Sequence, residues 1–145
     1  MNELATIGFT SKSAQQFFAL LRDHQVTLVA DVRLSNRGQL AGYTKADDLA
    51  FFLSLFGMKY EHWTDFAPTK ELRTRYHADH DFAKYETAYG ELITDRKSLE
   101  KLQVEVFTSE RVCLLCSEAS PDRCHRRIAA ELIANVIPGL HVRHL

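Results

Sequence analysis

No apolar run in the sequence approaches the ~18 residues needed to cross a bilayer, so no membrane-spanning helix is expected. The N-terminus, MNELATIGF, lacks the basic segment and apolar core of a secretory signal. Cysteine is scarce and odd in number, at three. That count suggests no disulfide framework, and it leads us to expect free thiols in a reducing cytoplasm. Neither sign of charge is in excess, with a formal net charge of −1. Whole-surface attraction to nucleic acid or anionic lipid is therefore not expected, and any such binding needs a local basic patch. Repeats, low-complexity tracts and Gly/Ser/Pro-rich linkers are absent too, so residues 1–145 are read as one domain. What is there is an ordinary globular composition, 46% apolar and 26% charged, long enough to bury one core.

Short apolar runs alternate with amphipathic stretches. LATIGF (4–9), TLVADVR (27–33), MKYEHW (58–63), RVCLLCS (111–117) and LHVRHL (140–145) read as strands. TLVADVR is apolar throughout until its charged end, which suits a parallel strand covered on both faces. A capping box at Ser13 and Gln16 starts a first helix. A second is expected from Thr44 and Asp47, carrying Leu49, Phe52, Leu53 and Phe56 and stopped by Gly57. Further helices are expected near Thr69, from Asp81 with Phe82, Tyr85, Tyr89, Leu92 and Ile93 inward, and over roughly 98–108. A last helix is expected over 121–136, with Ser120 as N-cap and Pro121 in the first turn. Residues 34–43, LSNRGQLAGY, read as a loop. The alternation predicts an α/β fold: a three-layer α/β/α domain with a mostly parallel sheet of about five strands.

In such sheets ligands bind beyond the carboxyl ends of the strands. The residues expected there are Thr10 and Ser11; Arg33, with Asp31 just inside its strand; His62 and Trp63; and Cys116, Ser117 and Glu118. The richest stretch is VCLLCSEASPDRCHRRIAAELI, residues 112–133. Cys116 ends a strand and leads into a helix, where the helix N-terminus and nearby arginines can lower its pKa from a reference of ~8.5. Glu118 and Asp122 oppose that, and the loop is poor in glycine. The spacing from Cys116 to Arg123 is also one residue longer than the phosphatase signature. A buried strand cysteine is therefore the competing reading.

Cys113 lies three residues from Cys116 in the same strand and should point to the opposite face, which denies the two a zinc knuckle. Cys116, Cys124, His125 and His62 are metal-binding types without a second close pair, so no metal or cofactor is expected. Loop geometry permits a Cys116–Cys124 redox pair, with no other support in the sequence. Glu118 can accept a bidentate bond from Arg126 or Arg33 and so fix the loop. Asp31 needs a partner such as the backbone about Arg33, or His125.

Three functions compete. In the first, Cys116 is the nucleophile and His125 or His62 handles the proton in a thiol-dependent hydrolase or transferase. Arg33 and Arg126 then hold a small anionic ligand or nucleotide, with Thr10, Ser11, Asp31, His62, Glu118 and Cys124 around it. The second is a nucleic-acid module with a basic rim of Arg33, Arg37, Lys45, Arg123, Arg126 and Arg127, and Tyr43 and Trp63 for stacking. In the third, the Cys-His-Arg cluster only caps a helix and braces a loop. Oligomeric state is not legible in the sequence.

From TIGF to the terminal HL the chain resembles the family catalogued as domain of unknown function 488. The likeness rests on TIGFTSKSAQQFFALL, LVADVR, GMKYEHW and above all LLCSEASPDRCHRR, where a strand ending in Cys-x-Glu precedes Pro and Cys-His-Arg. QLAGYTKADDL and FAPTKEL resemble one branch of it; many members have a glycine pair where this chain has Ala67-Pro68. The resemblance implies a site of Asp31, Arg33, Cys116, Glu118, Cys124, His125 and Arg126, and it implies no particular reaction. Asp-Val-Arg after one strand and a cysteine after another also resemble rhodanese sulfurtransferases, without their short glycine-containing loop.

Overall fold

The apolar runs become five parallel strands in the computed structural model, which describes residues 2–37 and 42–145. They are β1 (Asn2–Gly8), β2 (Leu28–Asp31), β3 (Lys59–His62), β4 (Val112–Cys116) and β5 (Leu140–His144), in the spatial order β3-β2-β4-β1-β5. Every residue of β2 and β4 is buried, as interior parallel strands require. β3 is an edge strand and alternates exposed with half-buried positions. Residues 38–41 of the expected 34–43 loop lie outside the described residues.

The period of two along each strand divides the core into two halves. Ala5, Ile7, Val29, Cys113 and Leu115 face one layer, made by α1 (Ala14–Asp23) and α2 (Ala46–Leu55). Leu4, Leu28, Ala30, Leu114 and Cys116 face the other. That layer is made by α3 (Lys70–Asp79), α4 (Phe82–Arg96), the short α5 (Val106–Ser109) and α6 (His125–Val136). Cys113 and Cys116 thus belong to opposite cores, as their spacing predicts. Among the described residues no helix is long and apolar enough to cross a membrane.

Three helix starts follow the polar signals, whereas α2 begins after Lys45 without a side-chain cap and the expected Thr44 lies in the turn before it. Ser13 and Gln16 cap α1 reciprocally, Thr69 accepts from the Leu72 N–H, and Asp81 accepts from the Lys84 N–H. Gly57 sits at φ +75° just past α2, a left-handed position that favours glycine. On α2, Leu49 and Leu53 are buried as expected, but Phe52 and Phe56 are 36% and 45% exposed. Both rings lean on Phe18 at the rim of the core instead of entering it.

Two expected helices are shorter than their sequence pattern. Between 98 and 108 the chain runs through turns, and the helix occupies Val106–Ser109 only. The last helix starts at His125, not at Pro121. Ser120 and Pro121 build a separate turn, in which the Asp122 N–H bonds Ser120 Oγ (3.3 Å) and the Cys124 N–H bonds the Pro121 carbonyl (3.3 Å). Cys124 is therefore the N-cap, its sulfur accepting the Arg126 N–H.

β1 connects to β2 across the α1 face, whereas its neighbour β4 connects to β5 by α6 on the other face. Connections that leave adjacent strands in opposite directions open a crevice at their carboxyl ends.

Candidate functional site

The floor of that crevice is a close approach of two backbones. A Cβ on Gly8 would stand 1.5 Å from the Glu118 carbonyl oxygen, so glycine at the end of β1 lets the 117–119 loop fold over it. Thr10 ties the same loop down, donating from both its N–H (3.0 Å) and its hydroxyl to the Ser117 carbonyl.

Arg126, in the first turn of α6, fills the space behind the loop and is fully buried. Its Nε donates to Thr6 Oγ1 (3.1 Å), which also bonds His144 Nδ1 (2.6 Å). Its Nη1 donates to Cys116 Sγ (3.1 Å) and to the Glu118 carbonyl, and its Nη2 to the Ala119 carbonyl (3.5 Å). Among the described residues it pairs with no carboxylate. A buried cation without a counter-charge costs several kcal/mol, about what breaking a buried pair costs. Cys116 and Cys124 are the groups in contact with it that can become anions, and Cys116 is the one its guanidinium touches.

The thiols are arranged for that. Cys116 Sγ lies 2.7 Å from Cys124 Sγ, and the Arg126 N–H donates to Cys124 Sγ (3.4 Å). Burial opposes ionisation of Cys116. The Cys124 hydrogen bond, the Arg126 charge and hydrogen bond, and the backbone at Glu118 outweigh it, leaving the thiol below its ordinary 9.0. Contact with Cys116, then burial, push Cys124 far the other way. The two shifts run in opposite directions, so ionisation is favoured at Cys116 and the proton is favoured at Cys124. Burial raises Cys113, on the opposite face, as well.

Both thiols line a cavity of about 220 Å³ together with Arg33, Arg73, Tyr85, Glu118, Arg123 and His125. Arg33 is 4% exposed and bidentate on Asp31, Nε to Oδ1 at 2.9 Å and Nη2 to Oδ2 at 2.8 Å. Asp31 also accepts from the Arg33 N–H and the Tyr60 hydroxyl. With Nη2 donating to the Thr44 carbonyl as well, Nη1 is the guanidinium nitrogen with no partner among the described residues. His125 is hydrogen-bonded through Nε2 to the Val32 carbonyl (2.7 Å), so Nε2 carries the proton and Nδ1 is an acceptor with no partner among the described residues. Burial lowers its pKa to about 4, against the pull of that carbonyl.

Of the sequence candidates, Cys116, Cys124, Arg33, Glu118 and His125 share this cavity, with Asp31 and Arg126 directly behind it. Thr10 and Ser11 are exposed on the rim and do not line it; Ser11 has φ +65° in the turn after β1. His62 is not brought to the thiols. Edge strand β3 carries it into a neighbouring cavity of about 400 Å³ with Trp63, Asp65, Ser98 and Lys101. There it bonds the Arg33 carbonyl (2.8 Å) and Asn36 Nδ2 (3.1 Å). The four-residue set of Cys116, Cys124, His125 and His62 is thus not assembled, and among the described residues no three metal-binding side chains gather.

The expected bond to the Glu118 carboxylate is replaced by one to its carbonyl, because the side chain points outward while the main chain turns in. Asp31 meets Arg33 and Tyr60, not His125. The expected basic rim is divided. Arg33 and Arg126 are internal, Arg127 is engaged by Glu86 and Glu131, and Tyr43 and Trp63 pack against opposite cores.

Sequence reasoning missed Thr6 and Gly8, whose importance arises only where β1 meets the loop after β4, and Arg73, on the exposed side of α3. A glycine closing the first strand was the one available signal. A family model described as Domain of unknown function DUF488 matches residues 13–133, which span the whole thiol cluster. No curated protein and no solved structure matches the chain.

Proposed function

For a chain that belongs to the family Domain of unknown function DUF488, we propose a thiol-dependent enzyme that binds an anionic group at the carboxyl edge of its sheet. One observation carries this reading: a fully buried guanidinium, Arg126, donates to Cys116 Sγ and pairs with no carboxylate among the described residues, beside a cavity that Arg33 also lines.

In this reading Cys116 is the nucleophile, held as thiolate by Arg126 and by the Cys124 thiol. Arg33, in the cavity lining, holds the anion together with Arg73 and Arg123. His125 is neutral at pH 7 and presents Nδ1 as an acceptor for a substrate proton. The reaction is displacement at an electrophilic centre of a small anionic substrate.

Thiolate absorbance in the ultraviolet, followed against pH, tests the nucleophile without needing access to it. A signal at pH 7 that disappears in Cys116→Ser supports the proposal. A wild-type signal that rises only near 9.0, the ordinary thiol value, removes it. Inorganic phosphate or sulfate should raise the melting midpoint of the wild type, and Arg73→Ala should weaken that rise. No rise at any concentration counts against an anion site.

A further inference from the structure

We propose that Cys124 is the second reacting thiol of this site, and that the Cys116–Cys124 pair reduces a small disulfide carrying an anionic group close to its S–S bond. The inference rests on the thiol-dependent reading above and adds its substrate class. The two sulfurs touch at 2.7 Å in the wall of one cavity, while Cys113 lies in the opposite core and cannot join them. A single residue contacts both: Arg126 reaches Cys116 through Nη1 and Cys124 through its backbone N–H. Arg33 lines that same cavity, its buried Nη1 has no partner among the described residues, and with Arg73 and Arg123 it supplies the charge that holds the anion.

Dithiol chemistry needs one thiol ionised to attack and the other protonated until its turn comes. The Cys116 thiolate attacks one sulfur of R–S–S–R; a Cys116–S–R bond forms, the S–S bond breaks, and RS⁻ leaves and takes a proton. Cys116 has now lost its charge. Its hydrogen bond and its negative charge were what held the proton on Cys124, together with burial. The Arg126 N–H and guanidinium remain, and both favour an anion at Cys124. Cys124 therefore gives up its proton to solvent, attacks Cys116 Sγ, and expels the second RS⁻, which is protonated in turn. Two protein thiols become one disulfide, and one substrate disulfide becomes two thiols, a balanced two-electron exchange. A dithiol from solution, such as dithiothreitol, returns the pair to its starting state.

The test mixes the reduced full-length chain, freed of reductant, with glutathione disulfide, followed by intact mass and peptide mapping. The wild type should end with Cys116 linked to Cys124 and no glutathione retained. Cys124→Ser, checked for folding by circular dichroism, should instead keep one glutathione on Cys116. If that variant does not fold, the wild-type map decides alone. Cystamine, a cationic disulfide, should react about tenfold more slowly, since like charges face it in the cavity. A wild type that retains glutathione on Cys116, or that reacts equally fast with both disulfides, overturns the inference. Should Cys116 show thiolate absorbance at neutral pH yet ignore glutathione disulfide, this inference fails and the thiol-dependent reading stands. No thiolate at neutral pH would sink both.

Discussion

Replacing Arg126 with methionine keeps the apolar stem of a fully buried side chain and deletes its charge. The bonds lost run to Thr6, Cys116 and the carbonyls of Glu118 and Ala119. They are not equally expensive. Glu118 and Ala119 lie in exposed positions and can rehydrate, and Thr6 keeps His144. The main loss is the cation opposite Cys116, and a hydrogen bond to a charged group is worth about 1.5–3 kcal/mol. Removing the desolvation of the guanidinium offsets part of this, so a net loss of about 2 kcal/mol at pH 7 is expected. The pH dependence is sharper than the magnitude. In the wild type the folded Cys116 pKa is below its unfolded value of 9.0. The stability it contributes is therefore present above 9.0 and lost as pH falls through the lowered folded value. In Arg126→Met only the Cys124 and Glu118 hydrogen bonds remain against burial, so the folded pKa should rise and the loss of stability toward low pH should shrink. Urea unfolding at a series of pH values, with thiolate absorbance on the same samples, reads both effects. A loss under about 0.5 kcal/mol together with an unmoved thiolate titration would refute the pairing of Arg126 with Cys116.

Gly8→Ala should lower the urea midpoint by the equivalent of about 1–3 kcal/mol, because the new methyl meets the Glu118 carbonyl; a neutral substitution would show that the crevice is not closed there. Asp31→Asn strands the buried Arg33 guanidinium and should cost about 3–5 kcal/mol in the same assay, with a cost below 1 kcal/mol counting against the buried pair. Tyr60→Phe removes the hydroxyl on Asp31 Oδ2 (2.6 Å) and should cost about 1 kcal/mol, a smaller step on the same network. His125 has a folded pKa of about 4 against an ordinary 6.5, so the unfolded chain takes up that proton first and stability falls as pH drops between those values. His125→Gln should flatten that slope, leaving the smaller share due to His144, whose pKa burial also lowers; an unchanged slope would place the titration elsewhere.

The layered architecture was legible because β2 and β4 are apolar at nearly every position, a pattern that only a strand covered on both faces sustains. The opposite placement of Cys113 and Cys116 followed from strand period alone. The start of α6 was not legible. Ser120-Pro121 is a good opening for a helix, yet the chain uses it for a turn, and a cysteine caps the helix four residues later. That shift places Cys124 against Cys116 instead of inside the second turn. His62 was misjudged because strand order is invisible in a linear reading: β3 lies at the sheet edge, two strands from β4. The partners of Arg126 were hidden for the same reason, since carbonyls carry no residue signature and any of them could have been the acceptor.

β1 pairs only with β4 and β5, so both of its neighbours in the sheet come from beyond residue 111. Thr6 and Arg126, which meet behind the site, are 120 positions apart. During synthesis β1 must therefore wait, with both its edges bare, until the segment from residue 112 onward has left the ribosome. A message truncated before residue 112 would leave that strand unmatched and open to pairing with other chains, and it would encode none of the three thiols.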